Sequence, residues 1–271
     1  MVGVLPSTAR LIAPLARRRY ARVAKNLAVA MPHLDEATRE GILRGAIDHF
    51  AQFPADLLLC LSQRWRPVRQ RFKTLCEPPA HDQLARLRTS GAIVVGAHLG
   101  NWEVGAAALR HWGVPLVAVA HSSRSLHRRW ALRRMRSALG VESLYAEHHA
   151  KEMSDALRNK KCLGLLIDLK RLAYRTPVHF FGQPVFAPAG PAVLSLRTGA
   201  PVFLGACLRQ EKGPRFRFEL QELTFDSSKN GRRKEDIQSR TQTMFDALES
   251  LIRRYPSQWV WFHNRWTPAR R

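Results

Sequence analysis

Ile93-Val94-Val95-Gly96-Ala97-His98-Leu99-Gly100-Asn101-Trp102-Glu103 reads as a short apolar strand, a tight turn and the start of a helix. A brief, wholly apolar run followed by glycine and an amphipathic stretch is the texture of a buried strand in a parallel sheet. In such sheets, ligands bind where strands end and helices begin. Gly96 and Gly100 permit close backbone approach at that turn. His98 is then expected at the strand's carboxyl edge. Glu103 falls in the first turn of the helix, where a carboxylate complements the helix dipole.

Working outward, apolar runs recur at Leu116–Ala120, Cys162–Ile167 and Val202–Cys207. Helical patterns separate them, at Trp102–Arg110, Leu126–Leu139, Lys151–Asn159 and Pro191–Thr198. Phe216–Leu220 alternates and is expected at a sheet edge, and a last helix runs from about Glu235 to Arg254. Upstream, Arg18–Ala30 carries Val23, Leu27 and Ala30 at helical spacing, and Met31-Pro32 stops it. Asp35 is placed to cap a second helix, interrupted at Pro54 and resumed from Asp56 to Leu61. The pattern predicts an α/β fold with a central, largely parallel sheet flanked by helices. It is expected to form a single domain over 1–271, with a helical N-terminal segment over 1–60 and a catalytic α/β core over 91–266.

The charge is lopsided, with 44 Lys and Arg against 21 acidic residues in 271, a formal net charge of +23. Such an excess attracts polyanions, whether nucleic acid, anionic lipid or an acidic carrier protein. No helix-turn-helix, zinc-finger or RNA-binding signature accompanies it, so nucleic acid is not the expected partner. Cys60, Cys76, Cys162 and Cys207 form no CxxC pair and offer no zinc spacing, and Cys162 and Cys207 read as buried free thiols. No apolar run reaches the ~18 residues of a membrane span. Residues 2–15 fit either an ordinary amphipathic helix or an interfacial one, with Leu5, Leu11, Ile12 and Leu15 toward lipid and Arg17, Arg18 and Arg19 toward headgroups.

A histidine at a strand's carboxyl edge can take a proton near neutral pH, and a carboxylate behind the ring fixes its tautomer. That is the histidine–acid half of a triad, with a substrate hydroxyl in the nucleophile's place. Taken alone, one histidine and one glutamate near a turn fit a structural role equally well. The chain has no Gly-x-Ser-x-Gly elbow. A hydrolase built on the same pair, with water as acceptor, is the alternative.

His98-x4-Glu103, within Gly96-Ala97-His98-Leu99-Gly100-Asn101-Trp102-Glu103, resembles the lipid A lauroyl/myristoyl acyltransferase family and relatives that acylate mycobacterial mannosides. Separate blocks carry the same resemblance: Phe180-Phe181-Gly182-Gln183-Pro184, Pro188-Ala189-Gly190-Pro191, Leu196-Arg197-Thr198-Gly199-Ala200-Pro201 and Gln258-Trp259-Val260-Trp261-Phe262-His263-Asn264-Arg265-Trp266. Gly164-Leu165-Leu166-Ile167-Asp168 is similar to the strand that delivers the family's second acidic residue. The resemblance implies a glycerol-phosphate-acyltransferase-like fold and an apolar groove beside the histidine. It implies an acyl donor on acyl carrier protein or coenzyme A (acyl-CoA), a membrane glycolipid or lysolipid acceptor, and no cofactor or metal. By position His98 matches the base and Glu103 its acidic partner. Asp168 matches an acidic residue near the same site, and Arg136 an arginine facing the groove, with Arg134 as the other assignment. Asn101, inside the motif, is expected to help bind substrate.

Many relatives carry an N-terminal membrane helix, whereas the first 20 residues here are short and polar, which implies peripheral binding at the cytoplasmic face of the inner membrane, on an anionic surface. The arginines from Arg124 to Arg136 fit either a solvated face or contact with phosphates. His121, His127, His148 and His149 read as surface or loop residues. Gly182, Gly190 and Gly199 mark turns, and Phe180-Phe181 reads as core or as groove lining. Trp259, Trp261 and Trp266 suit a packed C-terminal strand or, second, an interfacial belt.

Overall fold

The computed structural model describes residues 20–66, 70, 72–120, 125–145, 150–169, 174–212, 215–225, 233–263 and 265–266. The N-terminal segment before Tyr20, His121, Arg124, His148 and His149 lie outside the described residues.

Helix α1 covers residues 20–30, and α2 (Glu36–Ala51) follows it. Asp35 caps α2 by accepting the Thr38 N–H at 2.7 Å. Helix α3 (Phe53–Ser62) carries Pro54 in its first turn, where the missing N–H is not needed. The sheet then builds from β1 (Cys76–Glu77), β2 (Ile93–Gly96), β3 (Leu116–Ala120), β4 (Glu142–Tyr145), β5 (Cys162–Leu166), β8 (Val202–Arg209) and β9 (Phe216–Leu223). Between them run α4 (His81–Thr89), α5 (Trp102–His111), α6 (Leu126–Ala138), α7 (Ala150–Arg158), α8 (Gly190–Thr198) and α9 (Arg233–Arg254). A separate hairpin, β6 (Arg175–Phe180) with β7 (Gln183–Pro188), precedes α8.

The seven-stranded sheet has the order β1-β9-β8-β2-β5-β3-β4, and every pair is parallel except β8 with β9. Strand β2 is central and wholly buried, so its side chains divide the core. Ile93, Val95 and Ala97 face a layer containing α9 and the C-terminal tryptophans. Val94 faces the layer beneath α4 and α5. The central parallel sheet and the helical start match the reading of the sequence.

Several details differ from it. Strand β9 is not at the edge, because the two-residue β1 pairs along its outer side. Among its described residues the C-terminal tryptophan segment forms no strand. Pro256 sets a 3-10 turn, and a single bridge joins Trp259 to Leu99. Its packing reading holds nonetheless, since Trp259 and Trp261 are buried. Helix α4, strand β4 and the hairpin were not anticipated. Gly182 does sit in a turn, with φ 70, beside Phe181 at φ 53, and two central residues of positive φ make the tight hairpin turn that matches strand twist. Gly199, at φ 69, ends α8 in the left-handed conformation, whereas Gly190 is the first residue of that helix rather than a turn. Phe180 and Phe181 pack in the core.

Candidate active site

His98 follows β2 at its carboxyl end. Gly96 on β2 pairs with Leu166 on β5, so two residues further on, His98 lies beside Asp168. The His98 backbone N–H donates to Asp168 Oδ2 at 3.0 Å, and Nδ1 meets Oδ1 at 2.8 Å. The Trp259 indole N–H is a third donor, to Oδ2 at 3.0 Å. Burial by itself pushes the Asp168 carboxyl up. The charge and hydrogen bond of His98, the Arg265 guanidinium and the Trp259 N–H outweigh that and hold it well below the usual carboxylate range. An ionised Asp168 fixes the tautomer: Nδ1 carries the proton and Nε2 is the acceptor. Arg265 is itself buried, which lowers its guanidinium to about 10 against the opposing pull of Asp168.

Glu103 is not behind the imidazole. In the first turn of α5, its carboxylate is held by Arg136 on α6, with Nε to Oε2 at 3.0 Å and Nη2 to Oε1 at 2.7 Å. Both side chains are nearly buried, at 6% and 11% exposed, so each charge needs the other. The partner expected for His98 was Glu103, and the strand register supplies Asp168 instead. Arg136 lines the cavity described below. Arg134 points to solvent over the Trp130 ring, with its guanidinium carbon 5.6 Å from the centroid.

Asn101 does not reach the cavity either. It caps α5, accepting the Val104 N–H at 3.2 Å, and its amide donates to Asp56 Oδ2 at 3.3 Å. Asp56, fully buried on α3, also binds Arg209, and it accepts the Arg215 Nε–H at 2.8 Å. His49 completes the cluster, with Nε2 on the Gly100 carbonyl at 3.1 Å and Nδ1 facing Arg209 Nε at 3.4 Å. These groups brace the turn that carries His98. Sequence reading missed Asp56, His49, Trp259 and Arg265. The visible signals were a lone carboxylate, Asp56, inside the apolar run Phe53-Pro54-Ala55-Asp56-Leu57-Leu58-Leu59, and the closing block that holds Trp259 and Arg265.

Beside His98 opens a cavity of about 480 Å³. Its floor is the sheet face of Val94, Gly96, Gly164 and Gly205, and its walls come from α3, α5 and α6 through Phe53, Trp102, Ala106, Leu132 and Met135. Apart from His98, Glu103 and Arg136, this lining is apolar or weakly polar. The Trp102 ring packs edge-on to His98, with centroids 4.7 Å apart. A base with an oriented acceptor nitrogen therefore stands at an apolar slot, an arrangement suited to deprotonating a hydroxyl beside a bound hydrocarbon chain. Among the described residues no helix is long and apolar enough to cross a membrane.

Over residues 3–267 the chain matches the model of the bacterial lipid A biosynthesis acyltransferase family. It is 23% identical over 251 residues to a phosphatidylinositol mannoside acyltransferase of Mycobacterium tuberculosis, covering 90% of this chain and 76% of that protein. To the protein of the same description from Mycolicibacterium smegmatis it is 30% identical over 185 residues, 65% of this chain and 57% of that protein. With the fold, the cavity and a family match over nearly its whole length, the chain is an acyltransferase and belongs to the bacterial lipid A biosynthesis acyltransferase family.

Proposed function

We propose that this acyltransferase moves a fatty acyl chain from a thioester to a hydroxyl of a membrane glycolipid or lysolipid, with His98 as general base. The donor is acyl carrier protein or coenzyme A. The acceptor class includes lipid A precursors and phosphatidylinositol mannosides, the second suggested by the relatives' names. One observation carries the reading: the His98–Asp168 pair stands at the rim of an apolar cavity.

As the acceptor oxygen attacks the thioester carbonyl carbon, its proton passes to His98 Nε2. The tetrahedral intermediate collapses, the carbon–sulfur bond breaks, and the imidazolium returns the proton to the leaving thiolate. Asp168 stabilises the imidazolium between these steps. A thioester is already activated, so positioning and one base can supply much of the rate. Arg136 uses Nε and Nη2 on Glu103, and its Nη1 suits an anionic or carbonyl oxygen of the substrate.

Peripheral binding at the cytoplasmic face of the inner membrane fits the net charge of +23 and the exposed Leu58, Trp65, Leu126 and Trp130. The test is mass spectrometry of lipids after incubating wild type and His98→Ala with acyl carrier protein thioester and bacterial glycolipids. A lipid heavier by one acyl group, formed by wild type alone, is the expected result. Free fatty acid as the sole product would replace the transferase by a hydrolase.

A further inference from the structure

The cavity beside His98 runs along the face of the sheet, and we infer that Gly164 and Leu116, its lining residues farthest along the strands from His98, set the length of acyl chain accepted. This rests on the acyl-transfer reading and adds to it the residues that fix donor length. Strands β2, β3 and β5 are parallel and in register, so depth is read along them. Below His98 and Asp168, the first layer on the cavity face contains Gly96 beside Leu166. The next is Gly164, flanked by Val94 and Ala118. At the strand rise, Gly164 lies about 13 Å along β5 from Asp168. Leu116 starts β3 one layer deeper, level with Cys162, and its side chain reaches back, so that Cδ1 stands 3.3 Å from the place of a Gly164 Cβ.

The other glycines of this lining serve a different purpose. A Cβ on Gly96 would come within 2.7 Å of the Gly205 carbonyl oxygen, one on Gly105 within 2.8 Å of Cys207 Cβ, and one on Gly205 within 2.7 Å of Val94 Cγ1. Those three let backbone, helix and sheet pack closely. At Gly164 the nearest neighbour is the end of one flexible leucine, and the glycine is partly exposed between the buried Val94 and Ala118. Both residues line the cavity, and a side chain at 164 would press on Leu116, which bounds the space there. A larger residue at 164 fills space that the chain's tail would occupy, while a smaller one at 116 removes that bound.

The test uses free saturated fatty acids of increasing length, in two-carbon steps, titrated into wild type, Gly164→Val and Leu116→Ala and read by calorimetry. The same series is then run as acyl thioesters for transfer. Each methylene seated in an apolar site strengthens binding about fourfold. Wild-type affinity should climb at that rate to an optimum length and then fall. Gly164→Val should bind the wild-type optimum about fifteenfold more weakly, the loss of two seated methylenes, and favour shorter chains. Leu116→Ala should favour longer ones. Should Gly164→Val fail to fold by circular dichroism, the opposite shift in Leu116→Ala carries the test. Folded variants that keep the wild-type optimum overturn the inference. Wild type that binds no fatty acid of any length overturns it together with the acyl reading of the cavity. Length optima that move as expected, without any lipid acylation, uphold the ruler and sink the transfer chemistry.

Discussion

His98 and Asp168 meet twice, through the backbone N–H at 3.0 Å and through the ring Nδ1 at 2.8 Å, so one carboxylate fixes both the position and the tautomer of the proposed base. Asp168→Asn should keep the backbone bond and lose the charge opposite the imidazolium. Turnover is expected to fall about 100-fold or more, with little change in KM. Steady-state kinetics on folded enzyme decide it. A loss confined to KM would make Asp168 a substrate contact and remove it from the chemistry.

Glu103 predicts a different signature. With Arg136 it forms a nearly buried pair, so either single substitution strands a charge and should cost about 3–5 kcal/mol of stability. The double variant Glu103→Leu/Arg136→Met leaves no charge behind and should recover most of that loss. Urea denaturation of the two singles and the double measures the coupling. Additive losses would show that the two side chains do not depend on each other.

The strand–turn–helix around His98 was legible because an all-apolar run, two glycines and an amphipathic helix follow one another within a dozen residues. The partner of His98 was not. Glu103 is near in sequence, but Asp168 is near in space, and only the register of β5 against β2 says so. Asn101 could have been read correctly, since asparagine immediately before a helix is a common cap. The hairpin also left a signal, as Val178 and Phe180 alternate with exposed neighbours before Gly182. Trp259 alternates like a strand residue, yet Pro256 bends the segment so that its indole reaches Asp168. Asp56 gathers two arginines from β8 and the segment leading into β9, a convergence that exists only once α3 is docked on the sheet.

His49 predicts an acid-side loss of stability. Burial lowers its affinity for a proton, the Gly100 carbonyl bond opposes that, and the charge of Arg209 adds to the lowering. The unfolded histidine titrates near about 6.5. Below that pH the unfolded chain takes up a proton that the folded chain refuses, so this contribution is complete above it and is lost as pH falls through it. His49→Gln can still donate to Gly100 but does not titrate. Its stability should fall less steeply between about pH 7.5 and about pH 5, by at most about 1.4 kcal/mol per pH unit. Parallel slopes for wild type and variant would remove His49 from the acid response.

Gly100 should be among the least replaceable residues of the turn. It sits at φ 62, and a Cβ there would lie 2.0 Å from the Cys207 carbonyl oxygen, a backbone atom that cannot step aside. The same short segment is tied in three places, to the C-terminal turn, to β8 and to α2: Gly100 N–H to the Gln258 carbonyl at 2.9 Å, Asn101 N–H to that Cys207 oxygen at 2.8 Å, and the Gly100 carbonyl to His49. Gly100→Ala therefore adds a collision to an unfavourable dihedral, and a loss above about 4 kcal/mol is expected. Gly140 separates the two effects. Its φ is 73, but a Cβ there meets nothing within 4 Å, so Gly140→Ala should cost only the dihedral, about 1–2 kcal/mol. Comparing urea midpoints of the two variants isolates the contact. If they lose equal stability, the close approach of the His98 turn to β8 has no energetic weight, and the bracing assigned to it fails.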